Sequence, residues 1–107
     1  MGVQNILDRE HELHEIIWNK FAELDNVHVL AANFPNRLGV YSFYIDNLHF
    51  NLAVQLLNDK YGIQVRGGCS CAGTYGHILL NVKEEQSCEI TTKINDGDLT
   101  TKPGWVR

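Results

Sequence analysis

Two cysteines a single residue apart lie in the stretch Val65-Arg66-Gly67-Gly68-Cys69-Ser70-Cys71-Ala72-Gly73-Thr74-Tyr75-Gly76-His77. The thiolate is the reactive form of cysteine, and a nearby cation lowers the thiol pKa toward it. Arg66 is close in sequence, and His77 closes the stretch. The glycines let the backbone turn sharply and approach a ligand. The β-branched lead-in Ile63-Gln64-Val65 places the stretch where a strand ends, a position at which a rigid sheet holds a reactive loop still. Cys71 and Cys69 are therefore candidate nucleophiles. The residues leave three other readings open. Both thiols could be small buried hydrophobes. Cys69, Cys71, His77 and Cys88 could form a Cys3His zinc set, although Cys-x-Cys is tighter than the usual zinc knuckle. The two cysteines could also form a redox pair, although the spacing is not of the thioredoxin type.

Arginine binds carboxylate and phosphate through a two-pronged fork, and Arg66 and Arg107 both fall at predicted strand positions. Arg37 is expected as an ordinary surface arginine with a solvated tip. His11 and His14 are expected to be solvated on a helix, and His28 and His49 to be satisfied structural residues. Asn95-Asp96-Gly97-Asp98 has a calcium-like composition but lacks the spaced acidic ligands of an EF-hand loop, so a plain turn is expected.

These groups must be positioned by a modest framework. The 107 residues carry a net charge of −4, which fits one domain with one core. The acidic balance argues against nucleic acid, which needs clustered Lys and Arg. No apolar run approaches a membrane span, and Asp8, Arg9 and Glu10 interrupt any signal-peptide pattern at once. An odd count of three cysteines with nothing pointing to secretion predicts reduced thiols and a cytoplasmic protein.

Residues 4–25 carry a helical stripe of Ile6, Leu13, Ile17, Phe21 and Leu24. Residues 27–31 read as a strand, Phe34-Pro35-Asn36-Arg37 as a turn, and 39–45 as a second strand with Tyr41, Phe43 and Ile45 on one face. Asn47 is a plausible N-cap for a helix through Lys60, whose stripe is Phe50, Ala53, Val54, Leu57 and Tyr61. Gly62 suits a left-handed helix end. Residues 63–66 read as the third strand, 75–82 are ambiguous between helix and strand, and 84–95 fit a short helix. Gly104-Trp105-Val106-Arg107 reads as the opening of a last strand. The order predicts an α+β fold, a two-layer sandwich with a mainly antiparallel sheet covered by helices on one face. Because the last strand stops where it begins, residues 1–107 are expected to be a single domain excised from a larger protein.

Gly62-Ile63-Gln64-Val65-Arg66-Gly67-Gly68-Cys69-Ser70-Cys71-Ala72 resembles the C-terminal-domain signature of class V aminotransferase-fold enzymes, the cysteine desulfurase and selenocysteine lyase group above all. There a strand of the form G-I-x-V-R-x-G leads into a loop ending in C-A. The resemblance implies the small domain of a fold-type I enzyme that uses pyridoxal phosphate (PLP), commonly as a homodimer acting on a small amino acid. It puts Cys71 at the nucleophilic cysteine and Cys69 where a histidine is often found. Arg107, in Trp105-Val106-Arg107, falls at the arginine that holds the substrate carboxylate, with Arg66 a further substrate-binding candidate. Cys69 and His77 are possible auxiliaries that tune or relay protons. The PLP-binding lysine, and the groups that hold the ring, belong to the family's large domain, so the isolated chain is expected to be inactive. Two departures stand out: the segment between Cys71 and Arg107 is longer than in typical desulfurases, and Gly73-Thr74-Tyr75-Gly76-His77 differs.

Overall fold

The computed structural model describes residues 2–69 and 73–107. Helix α1 runs from Val3 to Ala22. Strands β1 (Val27–Val29) and β2 (Phe43–Ile45) follow, then helix α2 (Phe50–Tyr61). Strand β3 is Gly67–Gly68, followed by helices α3 (Gly73–Leu79) and α4 (Glu84–Asn95) and strand β4 (Trp105–Val106). The sheet has the order β1-β2-β4-β3, and every pairing in it is antiparallel. The fold is α+β, as its alternation of helical and strand periodicities predicts.

Packing explains the order. Val106, on the central strand, is the most deeply buried side chain, and it meets Phe50 and Ala53 of α2. Phe43, Ile45, Leu48, Val54, Leu57 and Val65 surround them. Full burial of an aliphatic or aromatic side chain contributes roughly 1.5–3 kcal/mol, so this cluster is what fixes α2 on the sheet. Two glycines let it close: a Cβ on Gly67 would come within 2.8 Å of Phe50 and one on Gly104 within 2.6 Å. By alternation, Trp105 points to the other side of β4, where its indole packs on Gly76 of α3.

Several boundaries differ from the sequence expectation. α2 is capped by His49, whose Nδ1 accepts from the Asn51 N–H. Asn47 instead adopts a left-handed φ of 57° in the turn after β2. The end of α2 is as expected: Gly62 is left-handed at φ 66°, its N–H donates to Asn58 O, and the Ile63 N–H donates to Leu57 O. The second strand pairs only over 43–45. The third pairs at 66–68 rather than 63–66, because its partner β4 meets it there. The ambiguous stretch after the cysteine loop is helical.

Much apolar surface stays uncovered. α1 has no buried residue, and Val3, Ile6, Leu7, Leu13, Ile16 and Ile17 are all exposed. The chain exposes 8124 Å², against about 6,100 Å² for a folded monomer of its 12.2 kDa mass. Its radius of gyration is 16.0 Å, against about 13 Å for a compact domain of this length. No helix among the described residues is long and apolar enough to cross a membrane.

Candidate active site

The cysteine loop leaves the sheet at β3. Gly68 has φ 117°, a conformation that L side chains rarely adopt, and it turns the chain toward Cys69. Cys69 is half-buried, and its Sγ donates to the Pro103 carbonyl at 3.1 Å. Burial pushes its thiol above the usual range, and the Lys102 ammonium offsets part of that rise. The Sγ–Pro103 hydrogen bond ties Cys69 to the segment entering β4. Cys71, the expected nucleophile, lies outside the described residues. Gly76 sets α3 against Trp105 and the Cys69 Cβ.

Arg66 and Arg107 are brought together. Each N–H donates to the other's carbonyl at 2.7 Å, so they form a hydrogen-bonded cross-strand pair. Such residues lie about 5.5 Å apart at Cα and share one face of the sheet. Val106 and Val65 pack on the helix side, so alternation puts both arginines on the opposite face. Both are exposed, and among the described residues neither forms an ion pair. Like charges directly opposite each other repel, so this pair is suited to an anion between the two guanidiniums.

His77 is half-buried on α3, with Nδ1 3.2 Å from Ser87 Oγ of α4. Cys88 is exposed on α4. Among the described residues no three His, Cys, Asp or Glu side chains gather as a metal site.

The family model for aminotransferase class-V matches residues 1–91. The chain belongs to the aminotransferase class-V family. It is also similar to a cysteine desulfurase of Haloferax volcanii, at 27% identity over 71 residues. That match covers 66% of this chain and 16% of the relative, so the chain spans a small part of that protein. No solved structure matches the chain significantly.

A class-V domain that anchored PLP by itself would need a lysine desolvated enough to react as a free amine. Among the described residues Lys20 pairs with Glu23 and Lys93 with Glu89. Glu89 raises the Lys93 pKa, the direction opposite to activation. Lys60, Lys83 and Lys102 are exposed. The lysines present do not fit PLP anchorage.

Three features escaped the sequence. Arg37 is no solvated surface residue: its guanidinium donates to the carbonyls of Leu30, Ala31 and Phe34 and lies 5.0 Å over the Trp18 ring. His14 is not free in solvent either: it is half-buried, its Nδ1 is 2.6 Å from Tyr41 Oη, and it stacks on Trp18. Together they lock the loop before β2 onto α1. His28 pairs with Asp46 as a structural residue should, whereas the buried Nε2 of His49 has no partner among the described residues. The contacts of His14 with Tyr41, of Arg37 with Trp18 and of His28 with Asp46 join residues distant in sequence, so no local signal announces them. The same holds for a groove of about 1010 Å³ beside Arg107, lined by Ile17, Phe21, Tyr41, Val54, Ile63 and Val65 among others.

Proposed function

We propose that this chain is the small C-terminal domain of a PLP-dependent enzyme of the cysteine desulfurase kind. In this role it contributes a thiol nucleophile, Cys71, and a carboxylate-binding arginine, Arg107. The observation that supports the reading is the Arg66–Arg107 pair, two cations without a counter-charge among the described residues, Arg66 on the strand that runs into the cysteine loop and Arg107 opposite it at the end of β4. A carboxylate held by Arg107 through a two-pronged hydrogen bond orients an amino-acid substrate, with Arg66 adding attraction beside it. The family supports PLP as the cofactor, which supplies an electron sink when bound. The lysine that holds it belongs to the remainder of the enzyme.

The chemistry assigned to this chain is sulfur abstraction. The Cys71 thiolate attacks the sulfur of a cysteine substrate, an S–S bond forms and the substrate C–S bond breaks. The electron pair stays with the carbon fragment, which takes up a proton and leaves as alanine. Cys69 and His77 act at most as auxiliaries, Cys69 by holding the loop through Pro103 and His77 through Ser87.

The test is made in the full-length enzyme carrying this domain. Cys71→Ser should abolish persulfide formation and alanine release from cysteine while leaving the cofactor's absorbance unchanged. Arg107→Ala should raise KM for the amino acid at least tenfold. The isolated chain, given PLP and cysteine, should release no alanine. Turnover undiminished in Cys71→Ser would overturn the assignment, and stoichiometric zinc in the purified chain would favour a small zinc-binding thiol module instead.

A further inference from the structure

The segment that carries Arg107 also grips the chain on both sides of residues 70–72. Val106 packs on the α2 side, so alternation turns Trp105 and Arg107 to the opposite face of the sheet. Trp105 is 4% exposed, and two stretches of chain converge on it. Before residues 70–72, Gly68 pairs with Trp105 across the sheet, and the next residue, Cys69, donates from Sγ to Pro103 O at 3.1 Å. After them, Gly76 of α3 lies on the six-membered ring of the indole. A Cβ at Gly76 would stand 3.1 Å from Trp105 Cζ3, 3.4 Å from Cη2 and 3.6 Å from the Cys69 Cβ. Gly76 is the buried position of α3, whereas Tyr75 and Ile78 are exposed and α4 buries no residue. The indole is thus the main hold of the sheet on α3.

We propose that Trp105 is a positioning residue for the reaction, holding both ends of the cysteine loop on the strand that leads to Arg107. The proposal rests on the sulfur-transfer role given above. In that role the substrate has two fixed points: its carboxylate at Arg107 and its sulfur at the thiol of the loop. Trp105 and Arg107 are two residues apart on one face, about 7 Å along the strand. One strand therefore sets the anchor of the substrate and the anchor of the loop together. A misplacement of about 1 Å at the reacting atoms can cost on the order of a hundredfold in rate, so a small shift of α3 is enough to matter.

The residue types fit this role. The contact with Gly76 is made by Cζ3 and Cη2, atoms that a phenyl ring lacks, so the size of the indole is used in full. Glycine weakens a helix interior relative to alanine, yet a glycine stands at the one buried position of the short α3. The close approach of Trp105 explains it. Arg107 is held separately, by its backbone exchange with Arg66. Loosening α3 therefore leaves carboxylate binding in place and disturbs the approach of the thiol, which is a loss in kcat rather than in KM.

The experiment is a size swap in the full-length enzyme carrying this domain, with cysteine as substrate. Gly76→Ala adds a methyl that meets the indole, and Trp105→Phe removes the two atoms it would meet. Each single substitution should lower kcat for alanine release about tenfold while KM for cysteine stays within about threefold, and the double substitution should return kcat to within about threefold of native. A merely local role for residue 76 predicts no loss, since alanine is the better helix former. If Trp105→Phe gives no folded enzyme, Gly76→Ala decides alone: a lowered kcat with KM kept supports the proposal, and an unchanged kcat overturns it. Native kcat in both single variants, a rise in KM that matches the fall in kcat, or a double variant no better than the worse single one also overturns it. Cys71→Ser in the same assay separates the two readings. Turnover lost there while the swap leaves kcat untouched faults the grip alone, whereas turnover kept there faults the sulfur-transfer role on which it rests.

Discussion

Gly104→Ala tests the packing that carries Arg107 into place. An ideal Cβ at Gly104 would stand 2.6 Å from Phe50 Cε1, 2.7 Å from Phe50 Cδ1 and 2.9 Å from the Gly68 Cα. Carbon atoms prefer about 3.5–4.0 Å, so the added methyl arrives roughly 1 Å too close to all three. The Phe50 ring cannot swing aside, since it is buried with Ala53 and Val106. The Gly68 contact is backbone, held at a φ that only glycine takes easily. Overpacking of this kind costs about 1–3 kcal/mol, which lowers Tm by roughly 4–8 °C per kcal/mol in a domain near 100 residues. The assay is thermal unfolding followed by circular dichroism, with Phe50→Leu as a second substitution. Shortening the ring opens space, so Gly104→Ala should cost markedly less in the Phe50→Leu background. Gly97→Ala is the control: nothing lies within 4 Å, and its φ of 86° makes the cost one of backbone strain alone. That cost should not depend on residue 50. A Gly104→Ala chain that melts with the native one, or a penalty that Phe50→Leu leaves intact, would refute the packing account.

Three further outcomes are expected. Burial raises the Cys69 thiol pKa, so at pH 7 iodoacetamide should modify exposed Cys88 well before Cys69, and Lys102→Ala should slow Cys69 further; peptide mass spectrometry resolves the order, and early labelling of Cys69 would contradict it. Hydrogen bonds from Thr100 hold the Asp98 carboxyl below its ordinary value of 3.8. A lowered folded-state pKa adds stability above the unfolded value and loses it as pH falls through the folded one, so denaturant titrations should show the gap between native and Asp98→Asn closing below pH 3.8. Arg37→Lys keeps the charge but loses the fork that spans the carbonyls of Leu30, Ala31 and Phe34. It should cost about 1–3 kcal/mol and speed proteolysis between β1 and β2, whereas an unchanged cleavage rate would remove Arg37 from its locking role.

What was legible in the chain follows from the range of the forces involved. α1, β1 and α2 show their periodicities within a few residues, and Gly62 announces its own left-handed φ. The cap of α2 lies at His49 rather than at Asn47, the residue type that favours a helix start, because the turn that follows β2 takes Asn47 at a left-handed φ and leaves the cap to His49. The stretch after the cysteine loop could not be assigned locally because its helix is set by Gly76 against Trp105, 29 positions away along the chain. At the site, Arg66 and Arg107 were recognisable as residue types at strand positions. Their pairing was not, since register emerges only when β4 inserts between β2 and β3. The groove was invisible for the same reason, being made of five segments that the sequence keeps apart.

The two tryptophans give this domain built-in optical probes of its separate halves. Trp105 lies almost wholly out of water beneath α3, in reach of the Cys69 side chain, while Trp18 sits on α1 under the Arg37 guanidinium. With Trp18 replaced by Phe, emission comes from the indole beside the cysteine loop alone. A red shift in that signal then means that α3 has lifted and let solvent in, so the docking of α3 on β4 can be followed in real time without attaching a dye.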